Sequence, residues 1–250
     1  MKNFYVFDFD GVVCDSTNEC LVCSWNALQK FKGNSDIRYK IEEFDKELQE
    51  SFTALRPFVK GGSQYYTLYQ ILYSEMNLEK ITQKVFDEIH NTFLIESEEY
   101  KPFFYQARNE LQEHDFSNWI DLHTVYQWVL DFLEIQLNSN RLMIATLKDK
   151  SSVLKILEHF NLCVNQSLVI DQFEIKTKLE ALDRILEEKN LNKEEMVFID
   201  DNIAHLLEPK RAGFRSFLAV WSNVSKSSVS LASEKNIDIL EDLNFFLKKT

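Results

Sequence analysis

In the stretch NFYVFDFDGVVCDS, residues 3–16, Asp8 and Asp10 stand one residue apart at the end of an apolar run. Alternate side chains of a strand share a face, so both carboxylates would point the same way and repel. A second acid pair, Asp200 and Asp201, closes the run EMVFID (195–200). Thr146 ends RLMIAT (141–146) with Lys148 two residues on, and Lys176 and Lys178 lie in KTKLEALDRILEEKN (176–190). Two acid pairs, a hydroxyl and at least one ammonium, drawn from four separate places in the chain, have a definite chemistry. Acids bind a hard divalent cation, and donors grip the oxygens of an anion.

For these groups to meet, the elements that carry them must end at one place. Residues 4–9 (FYVFDF) read as a short strand, aromatic and β-branched, that ends in acids and Gly11. The next hundred residues repeat apolar positions at helical spacing: IEEFDKELQESF (41–52), SQYYTLYQILYSEMN (63–77), ITQKVFDEIHNTFL (81–94) and PFFYQARNELQEH (102–114). No convincing strand lies between Val13 and Asp115. From about residue 120 helices at 122–137, 151–160, 176–190 and 202–213 alternate with strands at 141–146, 167–170, 195–200 and 214–221. The serine-rich 222–233 reads as loop and 237–249 as a closing helix. Such alternation implies βαβ units and a parallel sheet covered on both faces. The expected fold class is α/β, a central parallel sheet flanked by helices. Residues 1–13 and 115–250 would form the core, and 14–114 an inserted all-helical cap. Ligands of open α/β sheets bind beyond the carboxyl ends of the strands, which is where the polar residues above fall.

The bulk composition bounds the function. Within 250 residues, 45% are hydrophobic, including 20 Phe and 9 Tyr, enough for a sizeable core. A formal charge of −12 argues against nucleic acid or an acidic membrane as partner. Cys20 and Cys23 form a CxxC, but no second pair follows at zinc-site spacing, so the two are expected to pack as small apolar groups. With no signal peptide and no apolar run of membrane-spanning length, a reduced cytoplasm is the expected location.

The motifs carry a resemblance. DFDGVV (8–13) resembles the DxDGxx opening of the haloacid dehalogenase superfamily of phosphatases and phosphotransferases. LMIAT (142–146) looks like its second motif, and FIDD (198–201) like its fourth in the DD form. A single DxD is weak; ordered motifs on the correct strand ends are specific. The similarity spans a Rossmann-like core, and the helical insertion sits where the phosphoglycolate-phosphatase-like branch carries its cap. It implies a Mg²⁺-dependent phosphatase acting on a small phosphorylated metabolite through an aspartyl-phosphate. Asp8 would be the nucleophile and Asp10 the acid and base. The Asp8 carboxylate, the Asp10 main-chain carbonyl and Asp201 would hold Mg²⁺, with Asp200 close by. Thr146 would bind a phosphoryl oxygen. Lys176, which opens a helix 25 residues before Asp201, would be the motif lysine, with Lys178 as the alternative. In place of the second acid of the common GDxxxD pattern stands His205, so metal support would fall to Asp200.

Other residues are more ambiguous. Lys148 is equally a phosphate contact or a solvated loop lysine. Arg56, in the cap stretch LRPFVKGG (55–62), could bind an anionic tail or simply connect helices. His90, His123, His159 and His205 are scattered and point to no metal cluster. The same acids would serve a phosphomutase or other phosphotransferase. A phosphonatase would need a cap lysine such as Lys60, and a non-catalytic interaction protein could keep the fold alone.

Overall fold

The computed structural model describes residues 3–247. It divides into two compact units, Met1–Asp15 with Val125–Thr250, and Ser16–Thr124. The first unit opens with β1 (Phe4–Phe7) and the short β2 (Cys14–Asp15). The second holds α1 (Thr17–Phe31), α2 (Lys46–Leu55), α3 (Gln64–Leu72), α4 (Gln83–Thr92), α5 (Leu94–His114) and α6 (Phe116–Asp121). After β3 (Thr124–Val125) come α7 (Gln127–Asn138), β4 (Leu142–Ala145), α8 (Lys150–His159), β5 (Val169–Ile170) and α9 (Lys178–Lys189). The chain continues through β6 (Met196–Asp200), α10 (Ile203–Arg211), β7 (Arg215–Ala219), α11 (Lys226–Glu234), β8 (Asp238–Leu240) and α12 (Asn244–Leu247).

Six strands form one parallel sheet in the order β5-β4-β1-β6-β7-β8, and β2 pairs with β3. The first strand is therefore central, as its apolar run demands: all four of its residues are buried. Phe4 and Val6 join Leu182, Ile185 and Leu206 of α9 and α10 in one core. Tyr5 and Phe7 point the other way, where Tyr5 meets Phe132 of α7 edge-on at 5.1 Å and Phe246 of α12 at 5.3 Å. Both faces are thus covered. Because β4 and β6 flank β1 although the chain reaches them in opposite directions from it, the topological switch falls at the end of β1.

Within the helical unit, Arg108 of α5 and Glu19 of α1 form a buried ion pair, with Nε to Oε1 at 2.6 Å and Nη2 to Oε2 at 3.1 Å. The CxxC thiols attend the same carboxylate. Cys23 Sγ donates to Glu19 Oε1 at 3.2 Å and Cys20 Sγ to Oε2 at 3.6 Å. Burial, then the Glu19 charge, pushes the Cys23 thiol well up, so this cysteine is packed as a neutral donor.

Four sequence expectations shift. The core resumes at Val125, not at residue 115: Asp115 accepts from the N–H of Asn118, and the α6 that it caps buries Trp119 and Ile120 in the helical unit. The serine-rich stretch expected as loop contains α11, whose cap Ser225 accepts from Ser228 N. Within 237–249, residues 238–240 form the edge strand β8 and only 244–247 are helical; residues 248 and 249 lie outside the described ones. The helix expected at 176–190 starts at Lys178, capped by Thr177, which moves Lys176 out of it.

Candidate active site

The strand ends gather the acids. Asp8 follows β1 directly, and its N–H still pairs with Ile199 O at 2.8 Å, so the ladder to β6 holds it. Phe9 is buried in the core, and Asp10 follows it with its carboxyl 17% exposed. The chain then bends sharply: Val13 N and Cys14 N both donate to Phe9 O, and Gly11 N donates to Cys14 O at 2.7 Å. Gly11 sits at φ +78, open to glycine and costly to other residues. A Cβ there would lie 1.9 Å from Asp201 Oδ2. The absence of a side chain is what lets the turn lie against Asp201. Gly11→Ala is accordingly expected to lower the melting temperature by several degrees in calorimetry, because Asp201 has to move and the turn is strained.

On the other side of Asp8, β6 ends in Asp200. The cap of α10 is Asn202, whose Oδ1 accepts from Ala204 N at 3.0 Å, so neither Asp200 nor Asp201 serves as that cap. Asp200, wholly buried, accepts from Asn202 N at 2.8 Å and lies 3.2–3.3 Å from His205 Nδ1. Asp201 Oδ2 accepts from Ser222 Oγ at 3.3 Å, just past the end of β7. Thr146 extends β4, its N–H bonded to Ile170 O, and its Oγ1 accepts from Lys148 N at 3.1 Å.

Two lysines answer the acids. Lys178, at the first position of α9 and 3% exposed, places Nζ 2.7 Å from Asp8 Oδ1, 3.2 Å from Asp200 Oδ2 and 2.7 Å from Ala145 O. Lys148, its side chain fully buried, places Nζ 3.3 Å from Asp10 Oδ1. Lys176 does not enter the cluster. It is exposed, and its backbone N–H donates to Glu180 Oε2 at 2.8 Å. The lysine that meets the acids is Lys178, and Lys148 is a buried site residue instead of a solvated one. The histidines also need revision: His205 joins Asp8 and Asp200 in a group whose ligand atoms all lie within 4.8 Å of one another.

Electrostatics divides the two buried acids, Asp8 and Asp200, from each other. Burial raises the Asp8 carboxyl above its ordinary value, and the Asp200 charge adds to this against the pull of Lys178. Burial acts in the same sense on Asp200, but the Lys178 ammonium, His205 and the Asn202 N–H outweigh it and hold that carboxyl at about 2. Lys178 feels burial as well, yet Asp200 and then Asp8 keep it above its ordinary value. Its charge is fixed. Four carboxylates face two ammonium groups, an excess of negative charge suited to a divalent cation. The ligand atoms that gather are two buried carboxylates and an imidazole, Asp8, Asp200 and His205, and the side-chain-free Gly11 turn lies close against the neighbouring Asp201.

In the helical unit, Arg56 sends Nη1 to Val59 O at 3.5 Å and stands 5.9 Å from the Tyr65 ring, and Lys60 pairs with Asp87 at 2.8 Å. Both thus have local structural partners.

Residues 3–213 match the family of haloacid dehalogenase-like hydrolases. No curated protein matches the sequence. Among solved structures, a predicted phosphoglycolate phosphatase from Haemophilus somnus superposes with a TM-score of 0.62 at 15% identity, over 99% of this chain and 97% of that one. A haloacid dehalogenase-like family hydrolase from Streptococcus pneumoniae gives 0.60 at 14%, over 99% and 98%. A β-phosphoglucomutase from Clostridium difficile gives 0.52 at 14%, over 100% and 97%. The chain belongs to the haloacid dehalogenase-like hydrolases. It is an enzyme of that class, with a parallel α/β core. Among the described residues, no helix is long and apolar enough to cross a membrane.

Proposed function

We propose that this hydrolase is a Mg²⁺-dependent phosphatase of a small phosphorylated metabolite, working through an aspartyl-phosphate on Asp8. The observation that carries the reading is the separation of the two acids of the opening motif. Asp8 is buried against Lys178, whereas the Asp10 carboxyl remains 17% exposed and is paired with a different lysine. Neighbouring carboxyls in unlike surroundings are what a nucleophile and a separate proton carrier require.

In the first step a carboxylate oxygen of Asp8 attacks phosphorus, the bond to the ester oxygen breaks, and Asp10 in its acid form gives that oxygen a proton. In the second, Asp10 takes a proton from water, whose oxygen attacks phosphorus. The bond to Asp8 breaks, and phosphate and free carboxylate result. Thr146 and Lys148 would donate to phosphoryl oxygens, and Lys178, 2.7 Å from Asp8, would orient it and offset charge on the transferred group. Asp8, the Asp10 main-chain carbonyl and Asp201, with Asp200 nearby, would hold Mg²⁺, which supplies charge neutralisation for the phosphoryl oxygens and the crowded acids. The test is release of free phosphate from a generic aryl phosphate. Turnover is expected with Mg²⁺ and absent with excess chelator, and equal rates in both would remove the cation from the reading.

A further inference from the structure

The residues that follow β7 touch both halves of the acidic cluster. Trp221 Nε1 donates to Val12 O at 3.0 Å, inside the turn that carries Asp10. The next residue, Ser222, donates its hydroxyl to Asp201 Oδ2. The indole is itself braced, edge-on against Trp128 of α7 with centroids 4.9 Å apart, and α7's cap residue Tyr126 donates its N–H to the neighbouring carbonyl of Val13 at 3.0 Å. Consecutive carbonyls of the turn are therefore tied to β7 and α7, while Gly11 of the same turn lies against Asp201.

We propose that Trp221 and Ser222 are positioning residues that clamp the Asp10 turn and Asp201 at one separation. The physical need is plain. Asp8, Asp10, Asp200 and Asp201 repel, and the two lysines bind Asp8, Asp200 and Asp10. Asp201 accepts from the Ser222 hydroxyl and lies close against Gly11 of the turn, so the turn and Asp201 share one geometry. Indole N–H is a donor only and cannot act as a ligand or proton acceptor here. Trp221 thus acts through Val12, on the geometry of Asp10, and Ser222 acts on Asp201 directly. The catalytic part of this inference rests on the phosphatase reading; the clamp itself does not.

Trp221→Phe keeps a smaller aromatic ring beside Trp128 and removes the N–H donor. Amide exchange followed by mass spectrometry, on full-length protein without added metal, reads the clamp independently of activity. Exchange in residues 9–14 is expected to quicken about tenfold, with residues 196–200 of β6 unchanged. Turnover of an aryl phosphate with Mg²⁺ should show kcat lower by about tenfold and KM within about twofold, since alignment and not substrate affinity is lost. Ser222→Ala should quicken the same segment, and Ser222→Thr, which keeps the hydroxyl, should restore it. Unchanged exchange at 9–14, or an equal rise throughout the sheet, overturns the clamp. If Trp221→Phe fails to fold, the Ser222 pair decides by the same criterion. Wild-type protein without turnover but with the expected exchange pattern would sink the phosphatase reading and leave the clamp standing.

Discussion

Replacing Asp8 by Asn is expected to lower aryl phosphate turnover by about a thousandfold or more while leaving the protein folded with an undiminished melting temperature. Loss of a nucleophile cannot be made up by the surrounding donors, and single knock-outs of such groups cost most of the rate. The stability side follows from the same carboxyl. Burial holds Asp8 above its ordinary value, so its ionised form is unfavourable to the fold at neutral pH. A neutral amide removes that penalty, and Lys178 keeps Asp200 as a partner at 3.2 Å. Turnover in Asp8→Asn equal to wild type, measured as released phosphate, would remove Asp8 from the chemistry.

Lys178→Met should lose most activity and, unlike Asp8→Asn, should also destabilise the protein, by about 3–5 kcal/mol, because two buried carboxylates lose their shared cation. Its pH dependence separates this from simple repacking. In the wild type the Asp200 carboxyl sits at about 2, below its ordinary 3.8. An acid held low stabilises the fold above its unfolded value and loses that contribution as pH falls from about 4 towards 2, a term of roughly 2 kcal/mol. Asp8, held high, acts oppositely and above that window. Without Lys178, burial dominates at both acids and protonation favours the fold. Urea midpoints should therefore show the variant's deficit shrinking as pH is lowered from neutrality. A deficit constant across that range would mean that Lys178 acts by packing and not by charge.

The ends of strands were the most legible part of the molecule. Asp8, Thr146 and Asp200 each follow an apolar run so buried that only a central strand suits it, and a parallel sheet then brings the runs' ends together. Lys178 was harder, because two lysines flank Thr177 and one position decides which points inward. The clue was Thr177 with Glu180 three residues on, a helix-start signature that puts Lys178 in the first turn. His205 lay one helical turn past the acids, a relation visible only once α10 was known to begin after Asn202. Trp221 and Ser222 gave no local signal: their partners are about two hundred and about twenty residues away. Serine content hid α11, since serine favours caps and turns, and here one serine of the run is the cap.

The central place of β1 has a consequence for how the chain is made. Tyr5 pairs with Leu142 and Val6 with Phe198, so this strand, once synthesised, waits for well over a hundred residues before either neighbour exists. Meanwhile the intervening helices can close among themselves as one compact unit, Ser16–Thr124. FYVF therefore stays an apolar strand without its sheet neighbours until the ribosome has passed β4, and it is this nascent strand that a holding chaperone would have most reason to cover.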